Sequence, residues 1–281
     1  QAQFHPLKYL QALAQQISGN GSYLFENTKA LDIQTQNAYT VTTNTGFHVK
    51  APNVIIATHY PFYDGNGMYF SRIYPERSYA VGLTISDQYP GGMYISAEDP
   101  GRSYRPQPIV GGEHHKTGQS IDTSLHYQNL LNTANSIFQV DEVLYRWSTQ
   151  DYTTMDQVPY IGPLNSKDPG LYVATGFRKW GMTNGTVAAM ILRDYILDKE
   201  NEWAPVFMPS RFRPGAAAGK FIKENANAAK HLVSSKLSSA EHFEDIEPGE
   251  GKVVEIEGEK AGAYRDLPGQ LFIVDTTCTH M

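Results

Sequence analysis

The sequence predicts a mixed α/β (α+β) protein in which strand-forming segments alternate with a few amphipathic helices. Residues 171–196 have the pattern of a short apolar strand, a glycine-containing turn and a helix. Residues 22–58 have the pattern of successive short strands separated by asparagine turns. From residue 244 onward only short strands are indicated, which predicts a separate all-β unit.

The chain opens with a predicted helix over residues 1–17, where Pro6 suits the first turn and apolar residues recur at helical spacing. Five short strands are predicted next, at Leu24–Glu26, Lys29–Gln34, Tyr39–Thr43, Phe47–Lys50 and Val54–Ala57. The last of these is a continuous apolar run, which is typical of a buried parallel strand.

The middle of the chain is rich in Tyr, Gly and Pro and predicts an antiparallel sheet. Its strands are expected at Arg77–Ser86, Gly92–Ser96, Gln107–Gly112 and Val143–Trp147. A helix is expected over residues 122–138, with Asp122 or Thr123 as its cap. A second helix is expected at 220–237, after a stretch interrupted by prolines. The closing strands are predicted at Lys252–Glu257, Gly262–Arg265 and Leu271–Asp275.

Composition narrows the possible functions. A net charge of -6 and a pI near 5.8 argue against a nucleic-acid partner. No apolar run approaches the roughly 20 residues that a membrane-spanning helix needs, so no membrane span is expected. A single cysteine excludes an internal disulfide and is compatible with a reducing compartment, so we predict a cytoplasmic location.

Two segments resemble the FAD-dependent amine and D-amino-acid oxidoreductases, the family of glycine oxidase, sarcosine oxidase and D-amino-acid dehydrogenase. Leu171–Asp194 is similar to the family's strand, glycine turn and helix, through Gly176, Phe177, Gly181, Met182 and Thr183. Trp147–Gly162 resembles a second family segment, through Trp147, Thr154, Asp156, Pro159, Ile161 and Gly162. On spacing alone, an ordinary β–α connection remains an alternative.

The resemblance implies a set of site residues. The residues expected to contact FAD are Thr175, Gly176, Phe177, Trp180, Gly181, Met182 and Thr183. Arg178 is expected to bind a substrate carboxylate, with Lys179 as a weaker candidate, although Arg178 could equally be a surface residue. The glycine-oxidase type carries Arg-Pro where this chain has Asp151-Tyr152, and a carboxylate at Asp151 would favour a cationic substrate. The substrate is expected to be a small-molecule amine or amino acid.

Two departures from the family bear on cofactor binding. His59 stands where glycine is usual, which weakens the expectation of a close backbone contact there. The Gly-x-Gly-x-x-Gly turn that holds the FAD pyrophosphate is absent, because Gly19-Asn20-Gly21 and Gly65-Asn66-Gly67 lack the third glycine and the helix. The chain is therefore predicted to be a fragment that binds FAD poorly by itself.

Histidine and cysteine residues suggest two metal sites, of which only one is favoured. Adjacent His114 and His115 would point in different directions on a strand and no third ligand is evident, so a metal site is not favoured there. The resemblance implies a structural role for them, because a Gly-Gly-x-His motif ends a strand of the family's substrate domain. Lys252–Met281 resembles the start of a Rieske domain, whose first pair of [2Fe–2S] ligands would be Cys278 and His280. The second pair is missing from the sequence, so this chain alone is expected to lack the cluster. A plain loop cysteine beside an exposed histidine is the alternative.

The resemblances also imply a domain organisation and a function. Residues 1–60 and 151–200 would be parts of an FAD-binding domain, 61–150 a substrate domain with an antiparallel sheet, 201–243 a helical linker and 244–281 a truncated Rieske domain. The implied enzyme is an FAD-dependent dehydrogenase that takes a hydride from the carbon next to an amine and passes electrons to the cluster. One rival is a non-catalytic binding module, for which Arg178, Lys179 and Trp180 would be surface residues. The other is a Rieske-type electron carrier.

Overall fold

A computed structural model of the chain describes residues 4–35, 38–97, 99–120, 122–211, 219, 221–227, 246–256 and 258–275. These residues form two compact units. The first unit contains nearly all described residues up to Arg211. The second contains residues 69–75, 154–156 and the described part of the chain after residue 212. No helix within the described ranges is long and apolar enough to span a bilayer.

A helix and a small sheet open the first unit. Helix α1 (Pro6–Ile17) has proline in its first turn, as predicted, and the His5 side chain accepts a hydrogen bond from the backbone N–H of Lys8. The strands β1 (Ala30–Gln34), β2 (Tyr39–Thr43) and β3 (His48–Ala51) form an antiparallel meander. These three strands confirm the sequence prediction to within one or two residues, which is the usual uncertainty of element boundaries.

The strand predicted at Leu24–Glu26 is wrong. Residues 24–26 are in no strand, and the side chains of Leu24 and Phe25 are exposed. Asn20 and Asn27 on either side have left-handed backbones, with φ of 52° and 54°. An apolar run becomes a strand only where a neighbouring strand can take its backbone hydrogen bonds, and the turns at both asparagines prevent that here.

The strand–turn–helix unit belongs to a second sheet. Strand β11 (Leu171–Thr175) lies at its centre, parallel to β4 (Val54–Ile56) and antiparallel to β10 (Tyr160–Pro163). Helix α4 (Gly181–Ile196) and the short α5 (Ala204–Phe207) share a core with this sheet. That core consists of Ile161, Tyr172, Ala174, Ala188, Ile191, Leu192 and Ala204.

The parallel pairing predicted for the apolar run at residues 54–57 is confirmed, but its complete burial is not. All five residues of β11 are buried, whereas Ile55 of β4 is 44% exposed. The reason is position, because β4 lies at the edge of this sheet within the described residues and β11 lies at its centre.

A five-stranded sheet is the largest sheet among the residues that the structure describes. Its order is β6 (Tyr94–Ile95), β7 (Arg102–Arg105), β8 (Ile109–Lys116), β5 (Ile73–Ile85) and β9 (Val140–Thr154). The pairings of β6 with β7, β7 with β8, and β8 with β5 are antiparallel, which confirms the antiparallel arrangement predicted for this sheet.

The helix α3 (Ser124–Asn135) packs against this sheet, and both contribute to one core: Tyr79, Val81, Leu83, Val110, Leu130, Leu131 and Ala134. The N-cap residue is Thr123, whose side chain makes no cap hydrogen bond. Asp122, one residue earlier, contributes instead, since its Oδ1 accepts a hydrogen bond of 2.8 Å from the backbone N–H of Ser124. Strand β7 was not predicted, because its Arg-Ser-Tyr-Arg sequence has no apolar alternation.

The second unit has its own small core and a sheet of three antiparallel strands. Strands β12 (Gly251–Ile256), β13 (Glu259–Arg265) and β14 (Leu271–Asp275) follow one another in order and confirm the three strands predicted there. Its core is built on Ile246, Val254 and Ala263. The unit also contains the short α2 (Tyr69–Arg72) and a helical segment at 221–227. Residues 228–237 of the predicted helix lie outside the described residues, as do Cys278 and His280.

Candidate functional site

The turn between β11 and α4 is held in place by the end of strand β9. Gly176 begins it with a left-handed backbone, at φ 75°, which glycine adopts without strain. Arg178, at φ 53°, donates its backbone N–H to the carbonyl of Tyr152 over 3.1 Å. A bridge between Thr153 and Phe177 adds a second backbone link to β9. The sequence around Gly176 therefore folds as a sharp turn fixed to the large sheet.

Helix α4 begins with an exposed and uncapped first turn. Its N-cap residue, Trp180, makes no side-chain cap hydrogen bond, and its side chain is 65% exposed. The first amide to close the helix is that of Asn184, which donates to the carbonyl of Trp180 over 2.9 Å. The amides of residues 181–183 precede this bond and point out of the helix start, where an electron-rich ligand oxygen is favoured.

This helix start also has room for a ligand. A Cβ added at Gly181 would meet no heavy atom within 4 Å. An exposed tryptophan, an open glycine and an uncapped helix start together fit a flat, oxygen-bearing ring system such as a flavin.

His59, which follows β4, takes the backbone conformation that glycine would have. Its φ is 66°, and its carbonyl accepts a hydrogen bond from the hydroxyl of Thr175. Its ring Nε2 lies 2.7 Å from the carbonyl of Gln150, so this nitrogen carries the proton and donates. The ring also packs edge-on against Tyr152, with centroids 4.8 Å apart. The replacement of glycine by histidine thus keeps the turn and adds a ring beside β9.

These elements surround a cleft of about 340 Å³, which we call the turn cleft. It is lined by His59, Asp151, Phe177, Arg178, Lys179, Trp180, Gly181, Met182 and Thr183. Two separate predictions are brought together there, because Asp151 comes from β9 and the other predicted residues come from the turn and α4. Of the remaining predicted residues, Thr175 and Gly176 are buried at the end of β11.

Charged groups meet in the turn cleft at Lys179. Its Nζ lies 3.4 Å from Oδ2 of Asp151 and 3.2 Å from Nδ1 of His114. An ammonium can only donate, so Nδ1 of His114 accepts and carries no proton in this arrangement. Partial burial, and next the positive charge of Lys179, lower the pKa of His114 from its ordinary value of 6.5.

The Arg178 side chain binds Gln157. Its Nη1 donates to Oε1 of Gln157 over 3.0 Å. It also lines a neighbouring cleft of about 420 Å³, together with Pro159 and Phe207. The guanidinium therefore stands between two clefts, and Lys179 is the cation that faces Asp151.

Arg178, Lys179 and Trp180 are all exposed in this chain. That is the arrangement the rival hypothesis of a binding module expects. Exposure alone does not decide between the hypotheses, because a site that receives a cofactor from solution also needs accessible side chains.

Part of the resemblance in Trp147–Gly162 has a structural explanation. Gly162 has φ 143°, and a Cβ there would lie 3.1 Å from Pro209 and 3.3 Å from Tyr195. Ile161 is fully buried in the core beneath α4. These two positions therefore serve the packing of the sheet and not the turn cleft.

Two histidines that contact this region are not among the predicted site residues. The sequence predicts a structural role for His114 and marks His59 only as a departure from glycine. His59 lines the cleft, whereas His114 is exposed and is linked to the cleft through Lys179. The signal for His114 is its place in the Gly-Gly-Glu-His-His run, since two adjacent histidines on a strand point in opposite directions. Among the described residues, no group of three or more His, Cys, Asp or Glu side chains is arranged to hold a metal ion.

The family of FAD dependent oxidoreductases (DAO) matches residues 1–195. The chain is 45% identical, over 290 residues, to the Bacillus subtilis (strain 168) protein YhfW, whose name describes it as a Rieske 2Fe-2S iron–sulfur protein. The match covers 100% of this chain and 57% of that relative, so the chain spans little more than half of its length.

Solved structures of this fold show the same likeness. L-proline dehydrogenase from P. horikoshii superposes with a TM-score of 0.58 at 20% identity, covering 75% of this chain and 60% of that one. Glycine oxidase from Geobacillus kaustophilus superposes with a TM-score of 0.54 at 20% identity, covering 69% and 54% of the two chains. At this level of identity the likeness establishes the fold only.

Proposed function

The chain belongs to the family of FAD-dependent oxidoreductases, and on that premise we propose that it forms part of a dehydrogenase acting on CH–NH donors. The observation that carries the proposal is the exposed, uncapped start of α4 at the end of the buried strand β11. An aromatic surface, the amides of a helix start and a cleft with charged groups occur together there.

The flavin-contacting role falls on residues at the end of β11 and the start of α4. We propose that FAD is held by Thr175, Gly176, Phe177, Trp180, Gly181, Met182 and Thr183. When bound, FAD supplies the hydride acceptor. The chain's own contribution is to bind the ring, orient the substrate and limit the access of water.

Substrate binding falls on the charged groups of the turn cleft. Lys179 offers an ammonium to a carboxylate, and Asp151 offers a carboxylate to an amine, from positions 3.4 Å apart. Arg178 can turn from Gln157 toward the cleft and add a planar fork for a carboxylate. A small amine or amino acid matches this set of groups, and no side-chain base is required if the amine arrives neutral.

The electron acceptor is proposed to be a Rieske [2Fe–2S] cluster in the longer, cytoplasmic protein. Support comes from the resemblance of Lys252–Met281 to a Rieske domain and from the name of the Bacillus relative. The first two ligands would be Cys278 and His280, which lie outside the described residues. Two ligands are too few for a cluster, so iron analysis of this chain alone should find none in stoichiometric amount.

An anaerobic absorbance titration tests the proposal. The protein is extended at both ends to the length of its Bacillus relative and titrated with amines and amino acids. Bleaching of a flavin band together with a cluster band is the expected result. A cluster band without any flavin would overturn the proposal and favour the rival, an electron carrier or binding module that retains the flavoprotein fold. The exposure of Arg178, Lys179 and Trp180 is the observation on the side of that rival.

A further inference from the structure

Strand β8 contains a bulge directly beside the turn cleft. In its pairing with β5, His115 lies opposite Arg77 and Gly112 lies opposite Tyr79. Two residues of β8, Glu113 and His114, therefore stand where β5 has one. A bulge of this kind redirects a side chain from its regular alternation.

The bulge is strained and tightly enclosed. Glu113 has a left-handed backbone, at φ 57°, which costs a residue of this kind on the order of 1 kcal/mol or more. A Cβ at the preceding Gly112 would lie 2.6 Å from the carbonyl oxygen of Gly101, so only glycine fits there. A conformation of this sort persists only where its surroundings hold it.

The side chain of Glu113 is what holds the bulge. One carboxylate oxygen pairs with the guanidinium of Arg102, and the other accepts from Nδ1 of His126 at 2.9 Å and from the amide of Asn129 at 3.1 Å. We call these four residues the carboxylate clasp. The side chains of Glu113 and Arg102 are each only 9% exposed. The clasp joins β8 to β7 and α3.

The neighbouring His115 fixes the other side of the bulge. Its Nδ1 lies 2.7 Å from the carbonyl of Lys116 and must donate, so its Nε2 accepts from the hydroxyl of Tyr79 at 2.9 Å. Its ring stacks on that of His126, with centroids 4.5 Å apart and planes inclined by 9°. Both residues that flank His114 are therefore bound on the side of α3, which leaves His114 to face Lys179.

We propose that Glu113 is a positioning residue of the turn cleft: its carboxylate holds the bulge that directs the unprotonated Nδ1 of His114 onto the ammonium of Lys179. The ammonium is thereby fixed between His114 and Asp151, with its remaining donor capacity open to the cleft. This inference rests on the proposed function only for the identity of the ligand that the cleft binds. The geometry itself needs no cofactor.

Burial and the charged groups around His114 set its pKa, so the pKa shows whether the ring stays in this position. Lys179 on the turn and Arg102 on β7 disfavour its protonated form, and Glu76 on β5 and Asp151 on β9 favour it. Partial burial adds to the effect of the two cations and is the largest cause of the lowered pKa. Release of His114 from the cleft would therefore move its pKa upward, toward 6.5.

The test is an NMR titration of the histidine rings in this chain, with Glu113→Gln as the principal variant. The glutamine has one acceptor oxygen where the carboxylate has two. If that oxygen accepts from Arg102, the NH2 group faces the donors of His126 and Asn129 and cannot accept from them, so the clasp opens. The expected result is a higher pKa of His114. The ¹⁵N shifts of its ring should change from those of a single tautomer, with the proton on Nε2, to those of a mixture.

Two further variants separate positioning from simple loss of stability. Asp194→Asn makes the same chemical change at another buried carboxylate, bound by Arg193 and Asn201, and should leave the His114 resonances unchanged. Asn129→Ala removes one clasp donor from the exposed side of α3 and should raise the pKa of His114 less than Glu113→Gln does.

An unchanged pKa and tautomer of His114 in both clasp variants would overturn the positioning role. Because the titration is recorded without cofactor, that result would leave the proposed function untouched. Conversely, absence of flavin from the longer protein would reject the function and leave the positioning role standing. In the flavin-loaded protein, Glu113→Gln is expected to raise KM more than it lowers kcat, since the charge of Lys179 is kept but its orientation is lost.

Discussion

The ammonium of Lys179 lies 3.4 Å from the carboxylate of Asp151 in the turn cleft. The sequence alone presents Asp151 as an isolated negative charge that would repel an acidic substrate. The ion pair changes that interpretation, because the carboxylate is balanced by a cation in the same cleft. A substrate that carries both an amine and a carboxylate can then be received, with each group facing the partner of opposite charge.

Replacement of Asp151 by asparagine should shift substrate preference toward acids. In Asp151→Asn the ammonium of Lys179 loses its anionic partner, keeps its contact with His114, and becomes more available to a substrate carboxylate. Lys179 is 46% exposed, so solvent screens the pair and the gain is modest. We expect a roughly two- to fivefold higher KM for amines that lack a carboxylate, which corresponds to about 0.5–1 kcal/mol, and a smaller change for amino acids, because the freed ammonium offsets the contact that their amine loses. Steady-state kinetics of the flavin-loaded protein measure both.

The matched control for this change is Asp141→Asn. Asp141 lies on the same strand, β9, and accepts a hydrogen bond from Ser86 at the opposite end of it from the cleft. This variant should leave both KM values unchanged. Equal KM shifts for substrates with and without a carboxylate would contradict the assignment of Asp151 to substrate selection.

A methyl group added at the start of α4 should raise the stability of the chain and lower its affinity for FAD. Gly181→Ala adds a methyl group into open space at the first helical residue, so it should stabilise the cofactor-free chain by up to about 0.5–1 kcal/mol. If FAD approaches the amides of this turn, the same methyl group stands in its path and should weaken binding roughly tenfold. Thermal unfolding of this chain and FAD titration of the longer protein give the two quantities.

Gly185→Ala is the matched control, because it is the same change one turn further along the same helix and also meets no heavy atom within 4 Å. It should stabilise the chain similarly and leave FAD affinity unchanged. An unaltered FAD affinity in Gly181→Ala would place the cofactor away from this turn.

The large sheet and α3 should depend on Leu130 for their stability. Leu130 is fully buried between the helix and the strands β5 and β8. Leu130→Ala removes buried methyl groups and leaves a cavity, so we expect a loss of about 2–5 kcal/mol in the free energy of unfolding. On the same helix, Leu125 is 57% exposed, and Leu125→Ala should change stability by less than about 0.5 kcal/mol. Urea unfolding compares the two, and similar losses would show that α3 does not pack as described.

Local sequence patterns predicted the regular elements well but the cleft only in part. The signals for β11 and α4, an apolar run and helical spacing, each lie within one continuous segment. The bounds of both elements were therefore predicted to within one or two positions. The strand at residues 24–26 failed because a strand depends on a partner that local propensity does not reveal. The same holds for β7, which is polar and forms only because β8 and β6 lie beside it.

The composition of the turn cleft is a tertiary property. His114 and Lys179 are separated by 65 positions in the chain, and only the bulge in β8 brings the imidazole to the ammonium. The Gly-Gly-Glu-His-His sequence by itself does not predict which histidine faces the cleft. The choice is made by the carboxylate clasp, whose members come from β7, β8 and α3. Cleft residues that lie within one segment, such as 177–183, are therefore easier to predict than residues that reach the cleft from another sheet.

Acid should destabilise the chain in two stages, because His114 and several carboxyl groups, Glu113 among them, have lowered pKa values and hold fewer protons in the folded state than in the unfolded state. The pKa of His114 is lowered by partial burial and by Lys179, so its contribution is complete above 6.5 and is lost as the pH falls below that value. Burial alone would raise the pKa of Glu113, but hydrogen bonds from His126 and Asn129 and the charge of Arg102 outweigh it. The resulting pKa lies below 4.5, so this contribution is lost only as the pH falls below 4.5.

Urea unfolding midpoints measured from pH 8 down to pH 3 should therefore fall first below about pH 6.5 and again below about pH 4.5. His114→Gln cannot be protonated, so it should remove the first decline and keep the second. Glu113→Gln should weaken the second decline, because the clasp no longer gains from an ionised carboxylate. It should also reduce the first, since a released His114 titrates near its unfolded value. A first decline that persists undiminished in His114→Gln would assign it to another group and contradict the arrangement of His114 against Lys179.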